Sequence, residues 1–168
     1  MDTDQTEVLA EQVRDASAQG RALRLHGYDS KDFLGHRNDE HEPLDLKDHR
    51  GIVRYEPTEL VITVRGGTPL AEVEQALAEN GQMLAFEPPY FDGKGSIGGA
   101  IASGLGGPRR PWGGAPRDLL LGVVLLDGQG RVLRFGGEVM KNVAGYDVSR
   151  LMAGALGTLG ALLEVSLK

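Results

Sequence analysis

Gly93-Lys94-Gly95-Ser96-Ile97-Gly98-Gly99-Ala100-Ile101-Ala102-Ser103-Gly104-Leu105-Gly106-Gly107 is the stretch around which the chain is organised, and seven of its fifteen residues are glycine. An interior glycine costs a helix about 1 kcal/mol relative to alanine, so the run argues against a core helix. A flexible linker would carry more serine and less isoleucine and leucine. What remains is backbone that bends sharply and lies close to something flat or anionic. Glycine suits that task because it permits positive φ and puts no Cβ in the way. The expectation is a cradle for a dinucleotide.

The chain has 168 residues, 40% hydrophobic and 25% charged, which fits one soluble globular domain with a sizeable core. The absence of cysteine excludes disulfides, thiolate nucleophiles, iron–sulfur ligation and Cys-containing zinc sites. A formal charge of -6 argues against nucleic acid as a partner. Any bound anion must then be held by oriented N–H groups rather than by net charge. Met1-Asp2-Thr3-Asp4 has no signal-peptide character, and the apolar run Leu119 to Leu126 is too short for a transmembrane segment. These features lead to the expectation of a cytoplasmic protein. The four histidines, among them His26 and His49, lack metal-ligand spacing and read as solvated.

Outward from the glycine stretch, the periodicity gives an α+β chain. Thr3 to Gln19 reads as a helix, with Leu9, Val13 and Ala16 on one face and Gly20 as its stop. Ala22 to His26 alternates as a strand and enters Gly27-Tyr28-Asp29-Ser30-Lys31. That segment is either an ordinary tight turn or one that aims N–H groups and a hydroxyl at an anion. Leu44 to Leu46, Ile52 to Tyr55 and Leu60 to Val64 are strand candidates. Thr68-Pro69-Leu70-Ala71-Glu72 predicts a helix start capped by Thr68, and Asn80-Gly81 ends it. Met83 to Phe86 reads as a short strand stopped by Pro88-Pro89. Pro108 to Pro116 reads as a loop whose Arg109 and Arg110 are either solvated or aimed at a phosphate, a carboxylate or a partner protein. Leu119 to Leu126 and Arg131 to Phe135 form a hairpin around Asp127-Gly128-Gln129-Gly130. Asp147 caps a further helix, and Leu163, Val165 and Leu167 mark a last strand.

Gly93-x-Gly95-x-x-Gly98 matches the nicotinamide-dinucleotide fingerprint literally, but no strand leads into it and glycines interrupt whatever follows. No P-loop and no Gly-x-Ser-x-Gly elbow is present. Four separated motifs carry a different likeness. They are the turn Gly27 to Lys31, Ser96-Ile97-Gly98-Gly99-Ala100, Arg117-Asp118 before a strand, and Lys141-Asn142-Val143-Ala144-Gly145-Tyr146-Asp147 followed by Gly154 to Gly160. In this order they resemble the FAD-binding domain of the vanillyl-alcohol oxidase / p-cresol methylhydroxylase (PCMH) flavoprotein family. Arg109-Arg110-Pro111-Trp112 and Leu133 to Asp147 draw the likeness towards the flavin subunits of bacterial glycolate-oxidising complexes.

The resemblance implies a two-subdomain PCMH-type α+β fold. A smaller N-terminal α/β part spans residues 1–66, and a mixed or antiparallel sheet flanked by helices spans 67–168. It also implies a C-terminal substrate domain that this chain lacks. By resemblance, Gly27, Tyr28, Asp29, Ser30 and Lys31 hold the FAD pyrophosphate, through N–H groups and the Ser30 hydroxyl. Ser96, Ile97, Gly98, Gly99, Ala102, Ser103 and Gly106 line the pyrophosphate and flavin end. Asn142, Gly145, Tyr146 and Asp147 close over the ribityl region, and Gly157 and Leu162 meet the adenine end. Pro88, Arg117 and Asp118 complete the cofactor set. The family's first turn is richer in glycine; here Asp29 sits where it would repel a diphosphate unless turned away.

With no cysteine and no histidine in the glycine stretch, the expected FAD is non-covalent. The implied partners are a second flavin subunit, an iron–sulfur subunit and a small 2-hydroxy acid, with any inner-membrane association arising through those partners. The competing expectation is a non-catalytic assembly subunit that keeps a flavin-type fold and docks partners through Trp112.

Overall fold

A computed structural model of the chain describes residues 2–35, 40–138 and 145–168. Helix α1 (Thr6–Ala18) buries Leu9, Ala10, Val13 and Ala16. Strands β1 (Leu23–His26) and β2 (Glu42–Asp45) pair in parallel as a two-stranded sheet. β3 (Ile52–Glu56) and β4 (Val61–Arg65) follow, and then α2 (Leu70–Ala78), α3 (Ile97–Ser103) and the single turns α4 (Arg110–Gly113) and α5 (Pro116–Leu119). β5 (Leu120–Leu126), β6 (Val132–Gly136), α6 (Val148–Met152) and β7 (Ala161–Leu167) complete the chain.

The second sheet has five strands in the order β3-β4-β7-β5-β6, every pair antiparallel. Alternation along β5 sends Val123 and Leu125 into the larger core with α2, α3 and α6. Val124 and Leu126 face α1 and β2 on the other side. Each fully buried Leu or Val contributes roughly 1.5–3 kcal/mol through apolar area removed from water. A bulge interrupts the β5–β7 register between Val124 and Leu125, and Leu163 is the extra residue. Its carbonyl accepts from the Gly66 N–H at 2.7 Å and lies 3.0 Å from His49 Nε2. The α+β class follows from these two sheets. β4 pairs with β7, so the two sheets separate between β2 and β3.

Four local expectations give way to tertiary contacts. The glycine stretch does form a helix, α3, capped by the Ser96 hydroxyl and ended by Gly104 at φ 66. Its cost in propensity is offset by close packing, since a Cβ on Gly98 would stand 2.7 Å from the Gly66 carbonyl oxygen. Thr68 does not cap α2. Its Oγ1 donates to Arg65 O at 2.7 Å and accepts from Gly51 N at 2.8 Å, and Pro69 takes the cap position. Met83 to Phe86 is not a strand: the segment pairs with no strand among the described residues and is held by the buried Leu84 and Phe86. His49 is fully buried rather than solvated, with Nδ1 accepting the Gln5 N–H at 3.0 Å.

Candidate functional site

β1 delivers the chain into the Gly27 turn, where Asp29 takes a left-handed φ of 54. Among the described residues β1 pairs only with β2, which leaves its other edge without a strand. Opposite lie Gly66 and Gly67 at the end of β4, one flank of α3, and the segment from Met152 to Leu162. These elements enclose a cleft of about 230 Å³. Its walls include Gly27, Tyr28, Asp29, Ser30, Lys31, Ser96, Gly98, Gly99, Ala102, Ser103, Gly157 and Leu162. Twelve of the residues expected from sequence therefore meet in one place, from segments more than a hundred positions apart.

The others that are described do not line it. Ile97 is buried in the core, and Pro88 and Gly106 are buried outside the cleft. Gly106 packs on Pro116, where a Cβ would stand 3.0 Å from the ring. Asp118 caps its own turn by accepting from the Ala115 N–H at 3.0 Å, and Arg117 is exposed beside it. Asp147 caps α6 through the Arg150 N–H, while Gly145 and Tyr146 are exposed, Tyr146 at 96%. Asn142 lies outside the described residues.

The main-chain donors differ sharply between the two glycine-bearing walls. At the start of α3, the N–H groups of Ile97 and Gly98 donate to Thr68 and Gly66 carbonyls at 2.9 Å each. The Gly99 N–H donates to the Ser96 hydroxyl at 3.2 Å. In the Gly27 turn, by contrast, none of the N–H groups of Gly27, Tyr28, Asp29, Ser30 and Lys31 donates to an acceptor among the described residues. Successive unpartnered amides around a left-handed residue make an anion-binding concavity.

Gly27 adds an independent sign. Most cleft glycines have an internal reason to be glycine: a Cβ would meet Leu162 O at Gly66, Leu46 O at Gly67, and Leu25 at Gly157. Gly27 has no such reason, because its φ is ordinary and a Cβ there would meet nothing within 4 Å. That Cβ would stand in open space beside the cleft. The residues present thus fit a diphosphate-linked cofactor.

The side chains complete the electrostatics. Lys31 is half-buried, and desolvation lowers its pKa below the ordinary value. Its ammonium sits 5.9 Å from the Phe91 ring centre, and Phe33 meets Phe91 edge-on at 4.9 Å. No carboxylate pairs with Lys31 among the described residues. Asp29 lies 2.9 Å from His26 Nδ1. His26 and Phe91 were not legible as parts of the site. A histidine preceding the Gly27 turn was the available signal for the first; nothing in the sequence tied Phe91 to Lys31.

A cleft between two sheets, with turn amides and a cation that have no acceptor or carboxylate partner among the described residues, is the arrangement of a domain suited to a phosphate-bearing cofactor. Residues 3–136 match the FAD binding domain family, and the chain belongs to it. FAD is accordingly its cofactor. The chain is 54% identical to glycolate oxidase subunit GlcE of Escherichia coli K12, over 98% of its own length and 47% of the relative's. It is 38% identical to D-2-hydroxyglutarate dehydrogenase of Xanthomonas citri pv. viticola, over 64% of this chain and 22% of that one. It is 34% identical to glycolate oxidase subunit GlcD of Bacillus subtilis, over 74% and 26%. The chain thus spans about half the length of the first relative and about a quarter of the others. Among the described residues no helix is long and apolar enough to cross a membrane, and no cluster could hold a metal ion.

Proposed function

We propose that this chain is the FAD-binding domain of a 2-hydroxy-acid oxidoreductase subunit, with glycolate as the substrate and the corresponding 2-oxo acid as product. The 54% identity to a glycolate oxidase subunit over 98% of the chain carries the reading. The Gly27–Lys31 amides and the Ser30 hydroxyl hold the diphosphate, and Lys31 supplies a positive charge beside it. Ser96, Gly98, Gly99, Ala102 and Ser103 line the far wall, and Gly157 and Leu162 close the other end. Bound FAD supplies two-electron acceptance from the hydroxy acid. The protein's own contribution is position, a dry apolar wall and compensation of the phosphate charge.

The FAD is held non-covalently, and electrons leave through a second flavin subunit and an iron–sulfur subunit. Groups that bind the substrate lie outside this domain, so the chain alone oxidises no glycolate. Cofactor identification on the purified chain tests the assignment. Stoichiometric FAD released by acid, with a colourless pellet, is the expected result. A protein that cannot be reconstituted with FAD overturns it, and a yellow pellet overturns the non-covalent part. Glycolate turnover by the chain alone overturns the assignment of substrate groups elsewhere.

A further inference from the structure

The Gly27 turn contains an acid where an anion is to bind. Asp29 lines the cleft, and its neighbours on both sides present unpartnered N–H groups. A free carboxylate there would repel a diphosphate across a short, partly desolvated distance. The carboxylate is not free. His26, the last residue of β1, places Nδ1 2.9 Å from Asp29 Oδ1. A carboxylate only accepts, so His26 serves it as the donor partner of an ion pair. The other ring nitrogen stands 3.9 Å from Asp45 Oδ2 on β2, and Asp45 is paired with Lys47 Nζ at 3.1 Å. Arg24 Nη1 approaches His26 Nδ1 at 3.5 Å from the same strand. The imidazole side chain is 17% exposed.

We propose that His26 is a positioning residue for the cofactor: it ties the Asp29 carboxylate to the strand and thereby leaves the turn amides and Lys31 to an incoming diphosphate. This inference rests on the assignment of the cleft to FAD. It identifies the feature that lets this turn carry an aspartate and still bind an anion. Removing the ring donor releases a negative charge into the site. Removing the charge makes the ring donor dispensable.

The test is a binding cycle on the 168-residue chain. FAD and ADP are the probes, and adenosine, which has no diphosphate, is the control. His26→Phe is expected to weaken FAD and ADP by about tenfold and adenosine by less than about twofold, tenfold being the unit in which such charge effects register. Asp29→Asn in the His26→Phe background is expected to restore FAD and ADP binding to within about twofold of the original, as a coupled pair requires. Restoration would not follow if the pair merely shaped the turn, and its absence overturns the proposal. Should His26→Phe fail to fold, Asp29→Asn alone decides. Binding equal to or tighter than the parent supports the role, and weaker binding of FAD and ADP overturns it. A parent chain that takes up neither FAD nor ADP removes the cleft assignment itself, and the proposal falls with it.

Discussion

The Gly27 turn and the glycine-rich segment from Gly93 to Gly107 face each other across one cleft and use glycine for opposite ends. In the second, glycine serves the protein's own packing. Gly98 lets α3 lie on Gly66, and the first amides of that helix are spent on Thr68, Gly66 and Ser96. In the first, one glycine leaves room that no protein atom fills, and five consecutive amides remain unpartnered among the described residues. Glycine density therefore marks where backbones approach one another. Amides without an acceptor mark where an anion can be held.

That contrast can be broken from either side. The largest effect is expected at Gly66→Ala, whose Cβ would stand 2.1 Å from the Leu162 carbonyl oxygen. Overpacking against rigid backbone should cost about 3 kcal/mol, seen as a lower urea midpoint with an unchanged m-value. Gly27→Val should do the reverse. FAD affinity falls by about tenfold or more, about 1.4 kcal/mol. The urea midpoint should move little, because a Cβ at this position meets nothing within 4 Å. A Gly27→Val protein that binds FAD normally would erase the distinction between the two walls.

Ser96→Ala removes the α3 cap and should cost about 1 kcal/mol of stability. Its effect on FAD should be smaller than that of Gly27→Val, since the Ser96 hydroxyl is engaged with Gly99. Lys31→Met should weaken FAD and ADP by about fivefold while leaving adenosine unchanged, as loss of a charge-assisted contact requires. The gentlest probe is pH. Burial pushes the pKa of His49 down, so the fold holds it neutral while the unfolded chain protonates it. Stability should be full above about pH 6.5 and decline as pH falls below it. Asp4, lowered to about 2 chiefly by the Thr6 N–H, adds a second decline between its ordinary value of 3.8 and about 2. Urea midpoints across this range in the parent and in His49→Gln check the first step, and the variant should lose it.

Much of this architecture was legible without coordinates. The α1 stripe, the Asp127–Gly130 hairpin, the Asp147 cap and the final strand all follow local rules of period and turn chemistry, and each stands where those rules put it. The readings that failed share a cause. Gly98, Thr68, His49 and the 83–86 segment take their roles from residues distant in sequence: Gly66, Gly51, Leu163, and for the last the lack of any pairing strand. Asp118 matched a motif yet serves a local cap, with Arg117 exposed beside it.

The sequence by itself determined the class of fold, the placement of turn residues and the family, because these rest on local propensity and on the order of motifs along the chain. Only the tertiary structure decided which amides lack an acceptor among the described residues, which glycine stands beside open space and which side chain lies against Asp29. Hydrogen-bond donors are assigned by neighbours in space, and His49 beside Leu163 shows how far along the chain such a neighbour can lie.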